Sequence, residues 1–124
     1  MKIIDAISAI DELKPNAYSM EAKIAWLSYL DSIVKREIID THHGSESVVF
    51  QGYGEDTDLQ TQLLVDEPYA LDLYLKFLEN RMDYYNGETA KHNNSLLQFQ
   101  DAYCAFFRWY HRTHLPLGNQ RKFW

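Results

Sequence analysis

The residues able to do chemistry are few and scattered. His111 and His114 stand three apart, so on a helix both imidazoles fall on one side and could supply two ligands to a metal ion. No His-Glu-x-x-His pattern accompanies them, and His42-His43 are adjacent in a stretch that reads as loop. Imidazoles near a helix C-terminus, where positive charge is mildly favourable, account for the pair without a metal. Glu55-Asp56-Thr57-Asp58 alternates acids as calcium loops do. The required glycine is missing, however, and Asp66 takes the place of the distal glutamate, so a solvated acidic turn is the expectation. Cys104 is the single cysteine, which excludes an internal disulfide and a cysteine-based zinc site. Its apolar surroundings in sequence predict a buried, inert thiol. Pairing it with His111 as nucleophile and base fails on geometry, because seven residues along a helix rise about 10 Å. The glycine-rich phosphate loops and the Gly-x-Ser-x-Gly nucleophile elbow are absent. No catalytic, cofactor or metal site is expected, and the chain reads as a non-enzyme.

What remains is composition and pattern. At 124 residues the chain has the length of one domain, long enough to bury about two-thirds of its unfolded surface without disulfides or metal. Its 46% hydrophobic content argues against a disordered type. Nine Tyr, six Phe and three Trp make an unusually aromatic chain, which suits either a large core or contacts with other proteins. No run reaches the ~18 apolar residues of a membrane span, and Met1-Lys2-Ile3-Ile4-Asp5 lacks the apolar core of a signal peptide. A cytoplasmic protein is expected, or one released only by lysis. Residues 1–90 hold 17 acids and 7 bases, whereas residues 91–124 hold one acid, Asp101, and five bases. Such polarity is poorly suited to general DNA binding, which wants a basic face. It fits neutralisation within the chain or head-to-tail contact between copies.

The hydrophobic periodicity predicts a mainly α fold, a small bundle of about four helices. Ile3, Ile4, Ile7, Ile10 and Leu13 mark the first helix, stopped at Lys14-Pro15-Asn16. Ser19 should cap a second helix running to about Ile39, with Ile24, Leu27, Leu30, Val34 and Ile38 as its stripe and Trp26, Tyr29 and Ile33 widening it. Residues 44–65 change character. Val48 to Gln51 and Leu59 to Val65 have strand composition around a turn-rich centre, predicting an extended loop or a β-hairpin insertion. Asp66-Glu67-Pro68 reads as a helix start with Asp66 as cap, and Leu71, Tyr74, Leu75, Leu78, Met82 and Tyr85 line one face up to Asn86-Gly87. The last helix spans about 88–113, with Leu96, Phe99, Tyr103, Phe106 and Tyr110 as its stripe. Asn93-Asn94-Ser95 is read either as the frayed first turn of that helix, with an asparagine as its cap, or as a polar contact. Residues 1–114 form the helical domain and 115–124 an extended C-terminal tail. Leu117, Phe123 and Trp124 beside Arg121 and Lys122 should fold back on the domain or dock on a partner.

Several stretches, taken together, resemble a known family. They are Leu13-Lys14-Pro15-Asn16 with Tyr18-Ser19, Lys23-Ile24 with Trp26-Leu27, Leu63-Leu64-Val65 before Pro68-Tyr69, and Tyr74-Leu75. The most distinctive are Asp83-Tyr84-Tyr85-Asn86-Gly87-Glu88, His92 before Asn93-Asn94-Ser95, and Trp109-Tyr110 before Arg112-Thr113-His114. The chain resembles, over most of its length, the head–tail connector (adaptor) proteins of long-tailed phages and of prophages of gut Firmicutes. It departs from the pattern at position 92, where His replaces an aromatic.

The resemblance implies a structural virion protein, made in the host bacterial cytoplasm and acting as a ring of about a dozen copies. That ring would dock below the portal protein, meet tail-side connector proteins, and let DNA pass its channel without sequence-specific binding. In that setting the 44–65 segment and the tail would make the intersubunit and portal contacts, with Phe50, Tyr53, Leu117, Arg121, Lys122, Phe123 and Trp124 as the contact residues. A head-completion or tail-terminator protein, or a small helical regulatory protein that binds one partner, remains the alternative.

Overall fold

A computed structural model describes residues 1–118. Four helices make up most of it: α1 (Ile3–Leu13), α2 (Met20–Glu37), α3 (Ala70–Tyr85) and α4 (Thr89–Thr113). Short 3-10 turns at Ile39–Thr41 and Ser45–Ser47 follow α2. The fold is therefore a small helical bundle, as the periodicity predicts.

The helix ends follow local chemistry. Ser19 caps α2, its hydroxyl accepting from the Ala22 N–H at 3.1 Å. The Asp5 carboxylate accepts from the Lys2 N–H at 3.0 Å and satisfies one free donor of α1. α3 and α4 are joined by a tight reversal at Gly87, whose φ of 74° lies in the left-handed region. The Gly87 N–H bonds to the Tyr84 carbonyl and the Glu88 N–H to the Asp83 carbonyl, a paired closure that satisfies the last carbonyls of α3. Two expected boundaries shift. α3 begins at Ala70, and the Asp66 backbone carbonyl, not its side chain, accepts from Tyr69 and Ala70. α4 begins at Thr89, so Asn93-Asn94-Ser95 lies inside it and neither asparagine caps.

α3 is the centre of the bundle. α4 packs antiparallel along it, and α1 and α2 cover its other sides. Leu73, Tyr74, Phe77, Leu78 and Met82 of α3 are buried, against Ile3, Ile7 and Ile10 of α1 and the full α2 stripe. From α4 only Ser95, Ala102, Phe106 and Tyr110 are buried, so that helix lies on the bundle rather than in it. Leu13, Leu71 and Tyr85 of the expected α1 and α3 stripes are exposed, and the buried face of α3 includes Ala70, Leu73 and Phe77, which the expected stripe leaves out.

The 44–65 segment is an extended loop and not a hairpin; its two apolar runs do not pair with each other. Its second run pairs instead with the first residues of the chain. The Ile3 N–H bonds to the Thr61 carbonyl and Ile4 to Leu59, both at 3.0 Å, while Leu63 bonds to the Met1 carbonyl at 2.8 Å. One antiparallel bridge, Lys2 to Gln62, results.

Candidate functional site

The loop is tied down by a buried carboxylate. Asp31 lies on α2 at the phase of Ile24, Leu27, Val34 and Ile38, and its side chain is fully enclosed. It accepts from the Tyr53 hydroxyl and the Tyr74 hydroxyl, each at 2.5 Å, and from the Leu64 N–H at 3.1 Å. The Tyr74 oxygen in turn accepts from the Val65 N–H at 3.0 Å. Burial pushes the Asp31 carboxyl above the ordinary carboxylate range, while its three donors pull the other way. Burial, with Asp31 alongside, pushes both phenols up. Each hydroxyl therefore donates to a carboxylate that only accepts. Tyr53, expected as a partner contact, directs its polar end inward, and Phe50 packs edge-on against its ring at 5.2 Å.

A second knot closes the far end of the bundle. Asp83, also buried, accepts from the Ser95 hydroxyl at 2.9 Å and pairs with Lys14. The Asn80 amide donates to the Ser95 oxygen at 3.2 Å and to the His92 carbonyl at 3.0 Å. The polar run 93–95 is thus explained by Ser95, which faces inward, while Asn93 and Asn94 face water.

Over this knot lies an exposed aromatic ledge. Tyr18 meets Trp26 edge-on at 5.3 Å, Trp26 stacks on Tyr85 at 5.7 Å, and Tyr84 touches both Tyr85 and His92. The Tyr18 hydroxyl donates to Asn86 at 2.5 Å. Tyr84 and Tyr85 remain 56% and 57% exposed.

The histidines form a seam at the other end of α4. His42, almost fully buried, makes a 2.6 Å contact from Nδ1 to the Ile38 carbonyl, so that nitrogen carries the proton. Its Nε2 then accepts from His111 Nδ1 at 3.0 Å. His114 stacks flat on Tyr110 at 3.7 Å, away from this pair. His111 and His114 are therefore not joint ligands, and no cluster of three metal-ligating side chains exists among the described residues. The His42 backbone bridges Pro116 in antiparallel fashion, with His43 N–H to the Leu115 carbonyl and Leu117 N–H to the Thr41 carbonyl, both 2.8 Å. Leu117 is thereby held by its backbone while its side chain stays half exposed. Arg121, Lys122, Phe123 and Trp124 lie outside the described residues.

Between these ends, α2 and α4 do not pack closely on each other, and a groove of about 350 Å³ opens between them with α3 as its floor. Ile33, Phe77, Leu96 and Phe99 line it, and the Tyr103 hydroxyl bonds to Glu37 across one end at 2.7 Å. Burial, with Glu37 beside it, pushes the Tyr103 phenol up. Cys104 sits on the groove wall and is exposed, not buried as its apolar surroundings in sequence predict. The phase of α4 puts it at the edge of the stripe. Arg81 lies against the groove floor with its guanidinium over Phe77 and Tyr84, at 5.5 and 5.6 Å.

Sequence reasoning missed Asp31, His42 and Arg81. For Asp31 a signal existed, an acid at the apolar phase of a helix, which folding tolerates only when donors converge on it. No described helix is long and apolar enough to cross a membrane. No family model, no curated protein and no solved structure matches the chain.

Proposed function

We propose that the protein is a head–tail connector of a long-tailed phage or prophage, docking as a ring below the portal and joining capsid to tail. The observation that carries this reading is the aromatic ledge. Tyr18, Trp26, Tyr84, Tyr85 and His92 come from separate stretches of the resemblance, yet they converge on one surface. Aromatic side chains of this kind are enriched where proteins meet. A copy that covered this ledge with a different face of its own would repeat the contact head to tail and close a ring. Residues 1–118 carry 18 acids and 10 Lys and Arg, so a channel wall built from them would repel phosphate and let DNA pass.

The test is co-expression with a long-tailed-phage portal protein from the genome that carries this gene, followed by electron microscopy of the purified complex. The expected result is a closed ring of about a dozen copies on the portal, with Tyr84→Ala plus Tyr85→Ala abolishing it. A one-to-one complex with a soluble partner, or a channel lined mainly by Lys and Arg, would sink the reading.

A further inference from the structure

We propose, independently of the connector reading, that the α2/α4 groove binds a small apolar carboxylic acid, its carboxylate on Arg81 and its hydrocarbon body between Ile33, Phe77, Leu96 and Phe99.

The groove has two unlike ends. α3 and α4 run antiparallel, with Phe77 opposite Phe99 and their ring centroids 5.3 Å apart. Arg81 stands one turn past Phe77 along α3, and Tyr103 one turn past Phe99 along α4. The opposite senses of the two helices put Arg81 and Tyr103 about two turns apart, roughly 11 Å. At the Tyr103 end the hydroxyl donates to Glu37 at 2.7 Å, so phenol and acid satisfy each other. At the Arg81 end the cation has no such partner: none of the ion pairs among the described residues includes it.

The guanidinium is nevertheless held in place. It rests over the Phe77 and Tyr84 rings, 5.5 and 5.6 Å from their centroids, and its Nε is enclosed without a hydrogen-bond partner. Rings take the faces of a guanidinium and leave its edge, the terminal N–H groups, for an acceptor. A carboxylate accepts two such donors side by side, which gives direction as well as attraction.

Size selects a small molecule over a peptide. The groove holds about 350 Å³, within the range of small-molecule sites and near its lower end. A two-turn helix, about 10 Å across and about 11 Å long, would need roughly twice that volume or more, and would lie over the groove, not in it. The walls are aromatic and aliphatic, and Arg81 is the cation among the lining side chains. In a pocket of this composition apolar burial supplies affinity and the placed charge sets orientation.

The probe is 2-naphthylacetate, titrated into the full chain by calorimetry beside 2-naphthylacetamide, which keeps the ring body and loses the charge. The acid is expected to bind about ten-fold tighter or more, because hydrogen bonds between charged groups are the stronger kind. Arg81→Gln should bring acid and amide within about two-fold of each other, and Arg81→Lys should restore part of the preference. Both variants must first match the native melting temperature. Cys104, on the groove wall, locates the site in the unaltered chain. Saturating acid should slow its modification by iodoacetamide about five-fold or more, as mass action leaves few empty grooves. No binding of the acid at millimolar concentration, equal binding of acid and amide, or full thiol reactivity at saturation each overturns the proposal. Binding of an acidic helical peptide without binding of the acid overturns it as well, because the groove would then face a protein.

Discussion

α2 presents two faces to α3 and its surroundings, and they are finished to different degrees. On one face Asp31 gathers Tyr53, Tyr74 and the Leu64 amide, so every polar atom is answered and the loop is fixed. On the other, Ile33 and Glu37 look across a groove at Leu96, Phe99 and Tyr103, and one direct bond, Tyr103 to Glu37, spans it. The first face is closed like a protein interior, and the second leaves apolar side chains along an open groove. Aromatic residues serve both, and the partner of the hydroxyl tells them apart. Tyr53 and Tyr74 bond inward to a shared carboxylate, whereas Tyr29 stands exposed at the groove.

The contrast is broken most severely by Asp31→Ala, which leaves two hydroxyls and an amide without their acceptor in the core. A loss of about 3–5 kcal/mol is expected in urea unfolding. A loss near zero would mean the loop holds itself. Tyr74→Phe removes one donor to Asp31 and the acceptor of the Val65 N–H, and should cost about 1–3 kcal/mol. Trp26→Ala falls next, about 2 kcal/mol, because the indole is half-buried and stacked on Tyr85 but not enclosed. On the open side, Tyr29→Ala should change stability by less than about 0.5 kcal/mol. If instead it unfolds the protein, the groove is core and the contrast is false.

The buried Asp31 carboxyl also makes stability depend on pH. Asp31 is raised above its ordinary value of 3.8 in the folded state. Between those two values the native protein binds the extra proton, so stability falls as pH rises through the window and the cost is complete above the folded value. Unfolding free energy measured across the acid range should show this slope in the native sequence and a flatter one in Asp31→Asn.

Much of the helical frame was legible because helices obey a local period. Ile24, Leu27, Leu30, Val34 and Ile38 are buried together, and Ser19 caps where its position predicts. The loop was not legible. Val48 to Gln51 and Leu59 to Val65 have strand composition, but pairing is a tertiary choice, and the second run found residues 1–4 instead of the first run. His42 looked like a loop residue because nothing near it in sequence announces His111, 69 residues on. Cys104 was misplaced since its neighbours Tyr103 and Phe106 are apolar, while the helical phase turns the thiol outward. The aromatic ledge was partly visible, as a set of stretches whose convergence only the fold supplies.

The reversal at Gly87 also bears on time. It joins two helices whose contacts, Phe77 with Phe99 and Asn80 with Ser95, lie close along the chain. The pairing of residues 1–4 with 59–63 must instead close a long loop. Local contacts form cheaply and early, distant ones late. The α3–α4 hairpin is thus the expected nucleus on which the chain condenses, with mutations there slowing folding and mutations in the Asp31 contacts speeding unfolding.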